Sequence, residues 1–368
     1  MPAAPTLAAL RRHAIARSLF AATTLPRAIA RLGFVQADPI RAPARAQDLV
    51  LHQRVAGYRA GDLERRYPAL AVEEDFFVNY GFLPRASHAL MHPRAERHAW
   101  PRARWQQARA VRDFVRERGV VHPREVDERF RHGRVRNGFG GTSRGSTQLL
   151  DGMHYRGLLR VARREAGTRL YAVHDADAGP ARDPAAAAAA LDRLVDVAVA
   201  LYAPLPAATL GQFVAWLTGA AAPQWRAQRA AALARARQRL PSAQVEGLSW
   251  YWPAGENPAS KRHVVPDAVR LLAPFDPVVW DRRRFEAFWG WAYRFEAYTP
   301  AAARQRGYYA LPLLWRDEAI GWANLTWRDG VLTPALGYVT GRAPRDAGFA
   351  AALDEALDRM AAFLVPRD

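Results

Sequence analysis

Residues 105–174 combine helix-period and strand-period patterns in an order that few folds accommodate. Helices are predicted over 105–118, over 123–130 with Pro123 in the first turn, and over 146–158. The period then changes. Residues 158–164 and 168–173 read as two strands on either side of Glu165-Ala166-Gly167, where glycine permits a tight reversal. Three short helices followed by a two-stranded ribbon describe a winged helix-turn-helix, whose third helix reads a DNA groove while the wing reaches phosphates. His154, Tyr155 and Arg156 are the expected contacts from the third helix, with Arg144 at its entry. Arg160, Arg163, Arg164 and Arg169 on the wing are expected to face the same polyanion.

The charge distribution agrees with such a partner. Lys+Arg 53 against Asp+Glu 35 gives +18, and every one of those cations except Lys261 is arginine. Residues 1–174 hold 31 arginines against 15 acids, whereas residues 175–368 hold 22 cations against 20 acids. A GC-rich genome also raises arginine, so the residue type proves little. A positive field concentrated in one half points to nucleic acid or an anionic membrane. A membrane surface is disfavoured because no strongly basic amphipathic helix with a wide apolar face is present. No uninterrupted apolar run approaches a transmembrane length, and arginines break up the N-terminal apolar stretch, so a cytoplasmic, nucleoid-associated protein is expected. Without cysteine there is no disulfide, thiolate nucleophile, zinc ribbon or iron-sulfur cluster. The ten histidines lack HExxH spacing, and the glycines of 138–145 lack a following Gly-Lys-Ser/Thr. Neither a metal nor a cofactor is expected, and 138–145 reads as a flexible loop.

Elsewhere the elements are more ordinary. Thr24-Leu25-Pro26 starts a helix that Gly33 ends. From Phe34 the period becomes that of a strand, with Phe34, Gln36 and Asp38 alternating with Val35 and Ala37, which places Gln36 and Asp38 on one face; Pro39 prevents continuation as a central strand, and a helix over 44–55 follows. Residues 175–184 read as a linker, followed by helices over 191–201, 209–217 and 225–240 and a strand over 244–252. Beyond Val264, alternation and the Asp329-Gly330 dipeptide predict antiparallel strands, closed by a helix over 346–364. The expected fold is α+β, mainly α. Its tandem winged helix-turn-helix units span 1–104, 105–175 and a degenerate 185–255, form a concave basic surface, and precede a β-rich domain over 264–368.

Three segments carry a family resemblance: RLGFVQADPIRAPARAQDLVLHQR, GLLRVARREAGTRLYAV, and LLAPFDPVVWDRRRFEAFWGWAYRFEAYTPAAARQRGYYALPLLW. Together they resemble the YcaQ/AlkZ group of bacterial DNA glycosylases, with the Pro-Phe-Asp-Pro, Trp-Asp-Arg and Gly-Tyr-Tyr elements in the family's order. The resemblance implies a catalytic Gln-x-Asp motif at Gln36 and Asp38, double-stranded DNA with alkylated or crosslinked bases as the partner, and unhooking of interstrand crosslinks. Arg41, Arg45 and Arg54, around that motif, are further expected DNA contacts. The chain departs from the family pattern at Val78-Asn79-Tyr80-Gly81-Phe82 and at Gly321-Trp322-Ala323-Asn324, which leaves the substrate range open.

The chemistry follows from the residue types. Cleaving an N-glycosidic bond passes through an oxocarbenium-like state that a carboxylate both stabilises and relieves of the attacking water's proton. A purine alkylated at N7 is already cationic and leaves as a neutral base, so one carboxylate suffices where sugar hydrolases use two. Asp38 fits that role, and Gln36 offers a donor and an acceptor to orient water. With Lys261 the only lysine, a monofunctional hydrolase is favoured over a Schiff-base enzyme. The alternative is a non-catalytic winged-helix DNA-binding or transcription regulatory protein. It has no use for a carboxylate facing a polyanion.

Overall fold

The structure, a computed structural model, describes residues 4–95, 99–136, 141–174 and 183–366. They form a mixed α+β fold of many helices and several small sheets, in two compact units.

The first unit comprises residues 1–63, 196–212 and 236–368. Its opening helix, Leu7–Ser18, is capped by the Thr6 hydroxyl, which accepts the Ala9 amide. The helix Leu25–Leu32 starts at Thr24 and Pro26 as the sequence implies and buries Leu25, Ala28, Ile29 and Leu32. Gly33 ends it with φ 74°, and a Cβ there would lie 2.9 Å from Val197 Cγ1. Backbone conformation and packing thus both require glycine. The strand that follows is only Val35–Gln36, shorter than the alternation predicts. Beyond it the Asp38 side chain accepts the Ile40 amide at 2.9 Å, a local turn that takes the place of further strand pairing. The helix Ala46–His52 comes next, trimmed at both ends relative to expectation.

The C-terminal part of this unit is an antiparallel sheet in the order Val269–Leu271, Leu311–Trp315, Glu318–Arg328, Val331–Tyr338. Asp329 and Gly330, both at positive φ, join the paired residues Arg328 and Val331 in the two-residue turn their identities predict. Asp346 caps the closing helix Ala347–Leu364 through the Gly348 amide. A core of Ile15, Leu19, Leu272, Val278, Val279, Phe285, Tyr293, Leu314 and Ala319 draws on both ends of the chain. At roughly 1.5–3 kcal/mol for each large apolar side chain, such burial is the main stabilising term of the unit. Where one strand was expected over 244–252, there is a hairpin of Ser242–Val245 and Leu248–Tyr251, because Glu246 and Gly247 both adopt positive φ.

The second unit comprises residues 64–195 and 213–235. It contains the hairpin Val72–Phe76/Tyr80–Pro84, and helices Arg102–Arg118, Pro123–Phe130 and Gly145–Tyr155. The hairpin Leu159–Glu165/Thr168–Val173 follows, with Ala166 and Gly167 at its turn. Order and boundaries follow the sequence closely here, because His122 and Glu125 form a capping box and the turn residues are decisive. The region read as a flexible loop differs: Thr142–Arg144 is a strand paired with Arg134–Arg136. Residues 137–140 and most of the expected linker lie outside the described residues. The helices expected over 191–201, 209–217 and 225–240 are Pro184–Tyr202, Ala207–Trp216 and Arg229–Arg239.

Candidate active site and basic strip

Gln36 and Asp38 leave the strand end of the first unit in different situations. Gln36 is buried, and its carbonyl oxygen accepts the Trp280 indole N–H at 2.9 Å. The Trp280 ring packs on Tyr202, with centroids 4.9 Å apart. That single hydrogen bond assigns the amide: oxygen toward Trp280, and the NH2 end without a partner among the described residues. Asp38 is half-buried. Its backbone N–H donates to Gln47 Oε1 at 3.2 Å, one carboxylate oxygen accepts the Ile40 amide, and the other has no partner among the described residues. Burial raises the Asp38 pKa, against the opposing pull of the Ile40 N–H. A carboxylate with one oxygen fixed, one oxygen open and its basicity raised by desolvation can take a proton from a bound water.

The wall of this site comes from the C-terminal motifs, whose roles the residue patterns alone do not reveal. Trp280 holds Gln36. Arg282 donates to the Val279 and Pro274 carbonyls at 2.8 and 2.9 Å and lies over the Tyr293 ring at 4.5 Å. Tyr309, buried nearby, experiences the Asp38 charge. The order of the Trp-Asp-Arg and Gly-Tyr-Tyr elements was the available signal.

The expected DNA contacts divide sharply. Arg54 is an interior residue: with 0% of its side chain exposed, it donates bidentately to Asp276 at 2.7 and 3.0 Å and also to the Ser18 and Val50 carbonyls. A guanidinium so enclosed cannot reach phosphate. His154 is also interior, with Nε2 on the Glu74 carbonyl. Tyr155 donates to the Ala220 carbonyl at 2.8 Å, and Arg156 stacks on Trp100 at 3.7 Å. On the hairpin, Arg160 pairs with Glu73 at 2.9 Å, Arg164 with Glu74, and Arg169 with Asp151 at 3.0 Å. Arg163 is exposed beside Glu165, Arg144 is exposed beside Asp127, Arg41 is exposed, and Arg45 is half-buried at the start of the helix Ala46–His52.

Two of these acids, Glu73 and Glu74, are consecutive, and Asp75 follows them. Glu73, Glu74 and Asp75 lie on one strand and are all buried. Asp75 takes His88 at 3.0 Å and His92 at 2.6 Å on one oxygen and Arg94 at 2.8 Å on the other. Asp75, His88 and His92 offer three metal-ligand atoms within 4.8 Å of one another. The Arg94 guanidinium and the Phe76 amide already compensate this carboxylate, so the donor set suits an internal ion-pair hub better than a cation site. Opposite in character is the strip 131–144, where Arg131, Arg134, Arg136 and Arg144 are exposed. Arg134 and Arg136 alternate on their strand and share a face, a period-2 signal that sequence reading missed.

Among the described residues, no helix is long and apolar enough to cross a membrane. The solved structure of the Streptomyces sahachiroi DNA glycosylase AlkZ is similar to this chain with a TM-score of 0.64, covering 98% of this chain and 97% of that one, at 15% sequence identity. At that identity the likeness speaks for the fold. The family described as DNA glycosylase AlkZ-like matches residues 29–363, a span that takes in Gln36, Asp38, Trp280 and Tyr309, and this chain therefore belongs to the AlkZ-like family.

Proposed function

We propose that this protein is a monofunctional DNA glycosylase that hydrolyses the N-glycosidic bond of N7-alkylated purines, including purines joined in interstrand crosslinks. The observation that carries this reading is Asp38, a half-buried carboxylate with one oxygen tied to its own turn and the other open, two residues from an anchored Gln36. The cationic base needs no general acid. Asp38 stabilises the developing sugar charge and takes the proton of water, while the Gln36 NH2 orients either the water or a substrate oxygen. The three helices and the hairpin of residues 102–173 support the winged-helix reading of that segment, repeated in tandem along the chain. The exposed Arg41, Arg144 and Arg163 stay as DNA contacts, joined by Arg131, Arg134 and Arg136. Arg160 and Arg164 serve first to neutralise the buried Glu73 and Glu74, and Arg169 is paired with the half-exposed Asp151. The substrate places the enzyme at the nucleoid, in the cytoplasm.

The test is Asp38→Asn on duplex DNA bearing one 7-methylguanine, with alkaline cleavage to reveal abasic sites. Base release falls by about 10²- to 10⁴-fold, with DNA affinity unchanged or tighter because a repelling charge is gone. A folded, DNA-binding Asp38→Asn protein that releases base at the wild-type rate removes Asp38 from catalysis. A wild-type protein that binds DNA and releases nothing supports the non-catalytic alternative instead.

A further inference from the structure

A cavity of about 470 Å³ in the first unit is lined by none of Gln36, Asp38 and Trp280. Phe20, Val55 and Phe363 supply apolar wall, and the His52 ring, also in the lining, stacks on Phe363 with centroids 4.4 Å apart. The other charged or titrating groups on its surface are Arg59, Arg270 and Arg359, together with the Tyr58 phenol, and no acidic side chain joins them among the described residues. Three guanidiniums around one cavity repel one another unless a counter-charge is supplied.

The three arginines differ in what they already hold. Arg59 donates to the Ala362 and Val365 carbonyls at 3.0 and 3.2 Å, where it offsets the negative end of the closing helix. Arg270 is half-buried on the strand Val269–Leu271, on the face opposite its two buried neighbours. Only its Nη1 is engaged, by the carbonyl and side-chain oxygens of Gln53 at 3.5 and 3.3 Å, and its Nε and Nη2 have no partner among the described residues. Asp276, the acid that acts on Arg270, is already bidentate to Arg54. Arg359 reaches the Val269 carbonyl at 3.3 Å, and its acid, Glu355, is a mostly exposed residue one turn away on the same helix, a pairing that contributes little. Burial first, and then Arg359 and Arg270, hold the His52 pKa at about 4, so the ring is neutral, and its nitrogens have no partner among the described residues.

We infer that this cavity binds a phosphate group, with Arg270 and Arg359 as its cationic clamp and the His52 ring as a further hydrogen-bond donor. The inference does not depend on the glycosylase reading. Nε and Nη2 of Arg270 are the two nitrogens with which a guanidinium forks onto two oxygens of one phosphate. Arg359, on a different element, meets the same group from another side, which suits a tetrahedral anion better than a planar carboxylate. A phosphate monoester carries about two negative charges at neutral pH and so balances both guanidiniums. The cavity is larger than a bare phosphate fills, and its apolar wall accepts the organic part of an ester. Such a group comes from a nucleoside monophosphate or from the backbone of DNA, and the test separates the two.

The whole protein is titrated calorimetrically with inorganic phosphate and with adenosine 5′-monophosphate, against chloride at equal ionic strength. Saturable binding is expected, and Arg270→Gln and Arg359→Gln each weaken it by about 10- to 100-fold, the range for a hydrogen bond between charged partners. Arg163→Gln, which alters an exposed arginine of the second unit, leaves it unchanged. The Arg359 side chain is 42% exposed, so Arg359→Gln keeps the test decisive even if Arg270→Gln fails to fold. An undamaged duplex identifies the source: if the cavity takes a backbone phosphate, the two variants each reduce the slope of log affinity against log salt by about 0.9. If it takes a small ester, that slope is unaltered and only the adenosine monophosphate affinity falls. Absence of binding by either small ligand, with an unaltered duplex slope in both variants, overturns the inference. So does binding that Arg270→Gln and Arg359→Gln retain at wild-type strength, because the phosphate then sits elsewhere on this basic chain.

Discussion

Replacing Trp280 with phenylalanine tests whether Gln36 acts because it is held. The indole N–H reaches Gln36 Oε1 at 2.9 Å, and Gln36 is only 5% exposed, so water cannot readily replace the lost donor. Leaving a buried carbonyl unpaired costs about 1–3 kcal/mol, which sets the expected fall in unfolding free energy measured by urea titration. The catalytic effect is separate. A freed glutamine regains rotamer freedom worth about 1–2 kcal/mol, and reordering it in the transition state slows base release about 5- to 30-fold. Single-turnover release of 7-methylguanine at saturating enzyme reads that factor without interference from product release. The Gln36→Ala/Trp280→Phe double variant is the decisive comparison. If Trp280 works only by holding Gln36, the double variant is no slower than Gln36→Ala. A Trp280→Phe change that slows the Gln36→Ala protein by the same factor as wild type would refute the argument.

Two further outcomes separate free from committed charge. Arg134→Gln and Arg136→Gln each reduce the slope of log affinity against log salt by about 0.9 with little change in stability. Arg160→Gln leaves that slope unaltered and lowers stability by about 3 kcal/mol, the low end for a broken buried pair because Glu73 keeps Arg85; the reverse pattern would exchange their roles. Acidification provides the other. Burial holds the His92 pKa at about 3, below the 6.5 of an exposed imidazole, so the unfolded chain takes up protons first and stability declines as pH falls below about 6.5. Although burial acts against it, Arg94 with His88 and His92 keeps the Asp75 pKa well below its ordinary value, which adds a further decline below about pH 4. His92→Gln flattens the first part of that decline in urea titrations between pH 7 and 5. An unchanged pH dependence counts against the hub.

By itself the sequence determined the elements whose signals are local. Thr24, Pro26 and Gly33 bound the helix Leu25–Leu32, Ala166-Gly167 and Asp329-Gly330 turn their hairpins, and Asp346 caps the closing helix. Each depends on backbone conformation within a few residues, where residue identity leaves little choice. The Gln-x-Asp motif stood out through the family resemblance and not through backbone signals, and the length of its strand was not legible, because the Asp38 turn competes with strand pairing only in the folded geometry.

Only the tertiary structure decided which charges are available. Arg160 and Arg164 meet Glu73 and Glu74 across 87 and 90 residues of chain, and Arg54 meets Asp276 across 222. An arginine on a wing and an arginine in a core look alike in sequence, since nothing local distinguishes a guanidinium facing solvent from one whose carboxylate arrives from a remote strand. The same holds for the candidate site, where Gln36 meets Trp280 across 244 residues. Chain folding supplies the partner in every such case, and in low-dielectric surroundings the partner determines whether a polar group is structural or left open for chemistry.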